Sequence, residues 1–272
     1  MKIKNLVQIG SILLFVALNA RFSTCLSQET MTPQGESRIL VDAAHAPGTD
    51  AASFLITNSG SYYLASNVDG TNKRVGIEIA TNNVTLDLNG FCLMGSSSGV
   101  YIPCGTNCSV INGSISGCSG AGIYSQANDA NFERLSIVAT GYGVQCLGDA
   151  GVIKDCSFYH NANTSIILYG GNYVVAGNNC ADNNTLDAVN GTAIFVNSSN
   201  NRIENNYISG GGPAGYGIWV NMLASTTNNV VIQNSVAGYG TNNFKVDENL
   251  NDVGPIGVAT VAISPWANIS HP

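Results

Sequence analysis

Apolar positions along the chain recur with a period in the low twenties. Each repeat contains an anchor, an apolar residue usually preceded by Gly, and successive anchors are 21 to 28 residues apart. The anchors are Ile77, Val100, Ile123, Val144, Ile166, Ile194, Ile218 and Phe244. Repeats of this length that consist of short strands, with no helical pattern, are typical of a solenoid.

Two further apolar positions recur within each unit. Nine residues after the anchor come Leu86, Phe132, Ile153, Val175 and Ile203, and fourteen after it come Phe91, Ile137, Phe158, Cys180 and Ile208. Allowing short insertions, two more units supply Val110 with Ile115 and Val231 with Val236. We therefore expect three short strands per coil, whose inward side chains stack on those of the neighbouring coils and form a prism-shaped core.

Asparagine recurs twelve residues after the anchor. Five of seven aligned units carry it there, as Asn89, Asn112, Asn178, Asn206 and Asn234. The chain must bend sharply between the second and third strands, and Asn tolerates left-handed backbone angles. Stacked coils bring these amides about 4.8 Å apart, so that each can bond to the next. The pattern predicts an asparagine ladder at the second bend.

A three-strand coil with asparagine at its second bend resembles the right-handed parallel β-helix of the pectate-lyase-like superfamily. The resemblance covers residues 53–250 and implies an all-β fold, a right-handed parallel β-helix of seven to eight coils. Two segments outside the coils, 59–64 and 264–268, are predicted to cap the ends, because an uncapped solenoid exposes its core and its strand edges.

The first residues have the pattern of a secretory signal peptide. Lys2 and Lys4 precede an apolar run from Ile9 to Ala20, as such peptides require. We assign residues 1–21 to the signal peptide, 22–52 to a lead-in segment and 53–272 to a single β-helix domain. No later run reaches the ~20 apolar residues of a membrane span. The expectation is a secreted protein, extracellular or periplasmic, with no membrane span; lipidation at Cys25 is left open.

The charge excludes one class of partner. The chain has 17 acidic and 10 basic residues, a net charge of −7, and removing residues 1–21 removes three basic residues and gives −10. Nucleic-acid binding requires a basic stripe, so we predict no nucleic-acid partner. The same charge disfavours binding of a polyanionic polysaccharide without a bridging cation. Bridging by Ca²⁺ would reverse that conclusion, so the cofactor is left open.

Seven cysteines follow the lead-in segment, from Cys92 to Cys180. Export permits disulfides, and a Cys104–Cys108 bridge and free thiols are equally consistent with the short spacing. No metal site is predicted, because these cysteines contain no C-x-x-C pair.

The resemblance also implies where a ligand would bind, because members that act on polysaccharides use a groove along the outer face of the first strand. The outward position after each anchor reads Glu78, Tyr101, Tyr124, Gln145, Ile167, Phe195, Trp219 and Lys245. Flat apolar rings stack on sugar faces, and amides bond hydroxyls. We therefore predict ligand contacts at Tyr101, Tyr124, Gln145, Phe195 and Trp219. The alternative is ordinary sheet surface on which aromatic side chains pack between coils.

Catalytic residues are left unassigned. The resemblance implies a basic residue beside calcium-binding carboxylates in lyases, or an aspartate cluster in hydrolases, and the outward column contains neither. Three charged groups lie elsewhere: Glu133-Arg134 with Lys154-Asp155, His160 with Asp182, and Asp129 with Asp149. Each is better explained by structure, as cross-coil salt bridges, a His–Asp contact without a nucleophile and solvated turns rather than a calcium site.

Three functions therefore stay open. The favoured one is binding of a carbohydrate or polysaccharide, neutral or weakly charged, along the aromatic outer face. The second is a polysaccharide lyase or glycoside hydrolase. The third is a non-catalytic surface or matrix protein. The fold alone does not choose among them, because function depends on the site.

Overall fold

The computed structural model describes residues 37–186, 191–212, 214–258 and 264–271, and within these ranges it contains 27 β-strands and no helix. Neighbouring strands pair in parallel throughout. Contacts group Arg38–Pro272 into one compact unit. The predicted signal peptide and the first part of the lead-in segment lie outside the described residues. No described helix is long and apolar enough to cross a membrane.

The first strands of successive coils form one nine-stranded sheet, in chain order. They are β2 (Ala52–Ile56), β5 (Val75–Ile79), β8 (Ser98–Ile102), β10 (Ala121–Ser125), β12 (Tyr142–Cys146), β15 (Ile166–Leu168), β18 (Thr192–Val196), β21 (Tyr216–Val220) and β24 (Asn242–Lys245). The protein thus has nine coils rather than the expected seven to eight. The missed coil has its anchor at Phe54, opposite Ile77, where Ser53 replaces the usual preceding Gly.

The second and third strands share an 18-stranded sheet, because two long strands run through the second bend. These are β9 (Thr106–Ser116) and β11 (Asn128–Val138). Second-strand positions are also held by β1 (Ile39–Leu40), β3 (Gly60–Tyr63), β6 (Val84–Asp87), β13 (Gly151–Lys154), β16 (Tyr173–Ala176), β19 (Arg202–Glu204), β22 (Val230–Ile232) and β25 (Asp252–Val253). Third-strand positions are held by β4 (Val68–Asp69), β7 (Cys92–Met94), β14 (Ser157–Tyr159), β17 (Asn179–Ala181), β20 (Tyr207–Ser209), β23 (Ser235–Ala237), β26 (Ile256–Gly257) and β27 (Asn268–Ser270).

Two expectations at the N-terminal end need correction. Segment 59–64 is not a cap, since Gly60–Tyr63 is the second strand of the first coil and places Tyr62 opposite Leu86. In the next coil Leu93, not Phe91, faces the third-strand core position opposite Ile115. The second bend of that coil holds extra residues between β6 and β7, so counting a fixed number of residues from the anchor gives the wrong residue.

The glycine before many anchors has a steric cause. A Cβ atom on Gly122 would lie 2.6 Å from Cγ2 of Ile137, and one on Gly143 would lie 2.6 Å from Cδ1 of Phe158. Ile137 and Phe158 are fully buried third-strand residues of the same coils. The third bend brings the chain so close to the third strand that only a residue without a side chain fits.

The predicted asparagine ladder is present in the C-terminal coils. The Nδ2 atoms of Asn178 and Asn206 each donate to the Oδ1 atom of the next asparagine at 2.9 Å, and Asn234 donates to Asn268 at 3.1 Å. All four side chains are buried. Each Oδ1 atom also accepts a backbone N–H, as in the 3.0 Å bond from Asn178 to Asn206. The ladder thus satisfies backbone groups that the bend removes from the sheet.

Asn89 and Asn112 do not belong to this ladder. Both adopt left-handed backbone angles, with φ of 52° and 58°. At the second bend this left-handed residue comes directly before the inward ladder position, as Asn205 (φ 54°) does before Asn206. Residue type alone cannot distinguish the two neighbouring positions, because asparagine suits both of them.

The other two bends carry polar ladders that the sequence analysis missed. At the first bend, Asn201 donates to Asn229 and Asn229 to Asn251, each at 2.9 Å. At the third bend, Thr140 donates to Asn161 at 2.6 Å and Asn161 to Asn183 at 2.9 Å. All three bends of the coil are therefore stabilised in the same way, by buried side-chain hydrogen bonds that run from coil to coil.

The seven cysteines from Cys92 to Cys180 are free thiols. Cys108 is buried whereas Cys104 is exposed, so their side chains do not form the bridge that the sequence allowed. Burial raises the pKa of Cys146, Cys156 and Cys180 from the ordinary 9.0 to about 12. These three thiols behave as small apolar core residues.

Candidate functional site

The five predicted contact residues lie on one outward column of the first-strand sheet. Tyr101 is opposite Tyr124, which is opposite Gln145, and Phe195 is opposite Trp219. One further residue separates Gln145 from Phe195. Strands in a sheet are about 4.8 Å apart, so the column spans about 24 Å from Tyr101 to Trp219. We call it the aromatic column.

An open cleft borders the N-terminal half of the aromatic column. The rings of Tyr101 and Tyr124 are 5.7 Å apart between centroids and tilted by 33°. The cleft has a volume of about 270 Å³ and is lined by these tyrosines with Arg74, Val75, Ser97 and Ser98. It therefore combines half-buried aromatic surface with hydroxyl groups and one cation.

Arg74 is the residue of this cleft that the sequence analysis missed. Its side chain is exposed, and it takes part in no ion pair within the described part of the chain. It lies directly before β5, at a position that has no counterpart in the sequence repeat. Glu78, one strand from Tyr101 on the column, likewise takes part in no ion pair among the described residues. An unpaired cation and an unpaired carboxylate thus lie near the two tyrosines.

The C-terminal half of the aromatic column is packed more tightly. The Trp219 ring is 5.0 Å from the rings of both Phe195 and Tyr216. The Nζ atom of Lys245 lies 3.9 Å from the Trp219 centroid and 4.5 Å from that of Tyr216. The Nε1 atom of Trp219 is buried and has no hydrogen-bond partner among the described residues. Packing between coils, the alternative raised from the sequence, therefore describes Trp219 well.

Exposed groups continue beside this packed half. Tyr169 is 48% exposed and its ring meets that of Phe195 edge to face at 6.5 Å. Nearby, Asn221 donates to Asn197 at 2.6 Å, which uses part of the hydrogen-bonding capacity of both amides. The Gln145 side chain makes no hydrogen bond within the described ranges, so its amide stays available to a ligand.

The group of Glu133, Arg134, Lys154 and Asp155 was expected to form two cross-coil salt bridges, and only one of them is present. Lys154 bonds Glu133 at 3.3 Å, which confirms the cross-coil salt bridge. Arg134 does not pair with Asp155 as expected. Its Nη1 atom bonds Glu133 at 2.9 Å and its Nε atom donates to Asn112 at 2.7 Å, so the side chain points toward the preceding coil.

The other two charged groups are explained mainly by the backbone conformation at the bends. His160 and Asp182 adopt left-handed φ angles of 53° and 48° at the third bend, and no hydrogen bond joins them within the described ranges. The His160 ring instead stacks on Tyr159 at 4.1 Å. Asp129 has a left-handed φ of 52°, and Asp149 accepts the backbone N–H of Gly171. The described residues contain no group of three ligands that could hold a metal ion.

Comparison with known proteins agrees with this architecture. Residues 98–250 match the model of the right-handed β-helix region family. The fold is similar to that of an alginate lyase from Paenibacillus sp. str. FPU-7, with 14% identity over 83% of this chain and 85% of that one and a TM-score of 0.58.

A second solved structure is the DFA-IIIase from Arthrobacter chlorophenolicus A6 in complex with GF2, with 16% identity over 86% of this chain and 69% of that one and a TM-score of 0.49. No curated protein sequence matches the chain. The family model covers more than half of the chain, and the nine parallel coils have the architecture that it describes. This chain belongs to the right-handed β-helix family.

Proposed function

We propose that this is an exported protein that binds a polysaccharide along its first-strand face, with the Tyr101–Tyr124 cleft as the main point of contact. The observation that carries the proposal is this cleft, in which two adjacent tyrosines border an open volume lined by Ser97, Ser98 and Arg74. Aromatic rings provide stacking surface for sugar rings, and hydroxyl and guanidinium groups provide hydrogen bonds.

The shape of the face supports a chain rather than a compact ligand. The aromatic column continues past Tyr124 through Gln145 toward the exposed ring of Tyr169. Successive positions are one strand spacing apart, and a sugar unit within a polysaccharide has a similar length. An extended glycan can therefore contact one position of the column with each of its units.

The charges favour a neutral or weakly charged glycan. The chain carries a net charge of −7, and Arg74 is the one cation that lines the cleft. One guanidinium can pair with an occasional acidic group of a glycan. A densely charged polyanion would instead be repelled by the net negative charge of the protein. The similar fold of an alginate lyase supports the class of ligand, a polysaccharide, and not its identity.

The proposal is tested by affinity electrophoresis of the mature protein through gels that contain xylan, glucomannan, inulin, pectate or alginate. We expect retardation by at least one glycan, and loss of at least tenfold in affinity in Tyr124→Ala, because the open ring contributes about 1.4 kcal/mol or more. Tyr124→Phe keeps the ring and should keep most of the affinity.

Trp266→Ala is the matched control, because it removes a ring that is 54% exposed outside the aromatic column. Equal affinities of wild type, Tyr124→Ala and Trp266→Ala would contradict the proposal. Absence of retardation by every glycan would instead favour a structural role without a ligand.

A second candidate function is cleavage of the same glycan. It is favoured by Arg74 and Glu78, which lie unpaired beside the tyrosines of the cleft, since base, acid and cation are the groups that lyase or hydrolase chemistry requires. Incubation with the same polysaccharides, with and without Ca²⁺, distinguishes the outcomes. Ultraviolet absorbance of unsaturated ends would indicate a lyase, new reducing ends alone would indicate a hydrolase, and neither signal would leave binding as the function.

A further inference from the structure

The third-strand face carries a second row of outward polar residues, on a different sheet from the Tyr101–Tyr124 cleft. Strand pairing brings them into register in successive coils, as Ser114, Ser136, Ser157, Asn179 and Tyr207. We call this the third-strand row; at the sheet spacing it is about 19 Å long. None of its side chains makes a hydrogen bond within the described ranges, so all of them are available to a ligand.

An open groove of about 510 Å³ runs beside the centre of this row. Ser136, Ser157 and Asn179 line it on one side, and Arg134 and Asp155 line it at the second bend. Gly113 and Gly177 also border it. Because Arg134 is paired with Glu133 at 2.9 Å, the groove offers hydroxyl and amide groups with little free positive charge, beside the carboxylate of Asp155.

Two exposed tyrosines lie on the third-strand face: Tyr207 ends the row, and Tyr159 lies two residues after Ser157 in the same strand. Tyr159 is 42% exposed and Tyr207 is 55% exposed. They lie two coils apart, about 10 Å along the axis. The Tyr159 ring stacks on His160 at 4.1 Å with 10° between the planes. This stacking restricts the ring, which reduces the entropy lost on binding a ligand.

We infer that the third-strand row is a second carbohydrate-binding track, and that the protein bridges two polysaccharide chains. Hydroxyls, an amide and two spaced rings are the groups that recognise a neutral sugar chain. A protein partner would require a larger apolar core than Tyr159 and Tyr207 provide. The bridging rests on the proposed function, because it combines this track with the first-strand site.

The two sites lie on different sheets of a rigid solenoid, separated by the third bend. A short oligosaccharide cannot reach both of them, whereas two long chains can each occupy one. Bridging by the same protein then links chains into a network without any new contact, as in other bivalent binding. Light scattering detects such a network as particles whose size increases with protein concentration, until the binding sites on the polysaccharide are saturated.

The test is isothermal titration of the mature protein with xylohexaose, cellohexaose and mannohexaose, combined with light scattering in xylan and glucomannan. We expect two sites per wild-type chain for a hexaose that binds, and one site each in Tyr159→Ala/Tyr207→Ala and in Tyr101→Ala/Tyr124→Ala. Both double variants should lose the scattering network while still binding the polymer. Asn131→Ala, on the second-strand face, should retain two sites and the network.

The remaining outcomes separate the two claims. Loss of all binding in Tyr101→Ala/Tyr124→Ala, with no effect of Tyr159→Ala/Tyr207→Ala, would overturn the second track and leave the proposed function standing. Loss only in Tyr159→Ala/Tyr207→Ala would support the track and overturn the first-strand site. No binding of any of these glycans by wild type would overturn both claims. Circular dichroism and thermal unfolding of each variant establish that it is folded.

Discussion

At the scale of single residues, the bends explain most of the groups that first suggested chemistry. Arg134, Asp155, His160, Asp182 and Asp129 all adopt left-handed φ angles between 48° and 55°. Asn, Asp and His are several-fold enriched among non-glycine residues in this conformation. Charged residues in matching positions of neighbouring coils are therefore produced by repetition of a bend, and their proximity is no evidence of a catalytic pair.

This account predicts how Asp155 responds to substitution. Asp155→Gly should change the free energy of unfolding by no more than about 0.5 kcal/mol, because glycine adopts the left-handed angle freely. Asp155→Val should lower it by about 1–3 kcal/mol, because a β-branched residue is strained there. Urea denaturation of both variants is the measurement. Equal stability of the two variants would show that the backbone does not select the residue.

The ladder predicts a larger effect at Asn206. Its Oδ1 atom accepts two hydrogen bonds from Asn178, and its Nδ2 atom donates to Val175 and Asn234. Asn206→Ala leaves these buried groups unpaired and should lower the free energy of unfolding by about 3 kcal/mol. Asn131→Ala, which removes a side chain without a described hydrogen bond, should change it by less than about 0.5 kcal/mol. A loss in Asn206→Ala as small as in this control would contradict the account.

At the scale of strands and coils, the periodicity of the sequence identified most of the apolar residues that are buried in the core. The anchors and the inward positions of later strands have the expected register, with Ile123 opposite Val100 and Val144. Errors arose where a bend gains residues, as between β6 and β7, or where the marker glycine is missing, as at Phe54. Arg74 could not be found from the sequence, because its position beside Tyr101 depends on how the preceding segment enters the sheet.

The glycine before the anchor gives a prediction at this scale. Gly122→Ala places a Cβ atom 2.6 Å from Ile137 Cγ2 and 2.9 Å from the Gly143 carbonyl oxygen. Overpacking of this kind should lower the free energy of unfolding by about 1–3 kcal/mol. Denaturant unfolding measures it, with Asn131→Ala as the reference. A fully stable Gly122→Ala would mean that the first and third strands are not held at this distance.

At the scale of the whole molecule, three buried thiols make stability depend on pH. Burial raises the pKa of Cys180 from 9.0 to about 12, so between pH 9 and 12 the folded state keeps a proton that the unfolded state loses. The free energy of unfolding must then fall as the pH rises, by about 1.4 kcal/mol per pH unit for each such thiol. Cys146 and Cys156 add the same dependence.

Substitution of one thiol checks this directly. Cys180→Val removes the titrating group and keeps an apolar side chain in the core. Its free energy of unfolding should fall less steeply than that of wild type between pH 9 and 11, and the two slopes should agree below pH 8. Parallel curves over the whole range would show that Cys180 does not stay protonated in the folded protein.

The central claim is that the first-strand face binds a glycan at the Tyr101–Tyr124 cleft. A crystal structure of the protein with a bound oligosaccharide tests it most directly. The account predicts a sugar ring stacked on Tyr101 or Tyr124, with a hydroxyl or acidic group within hydrogen-bond distance of Arg74. A sugar bound with measurable affinity that leaves this cleft empty would contradict it.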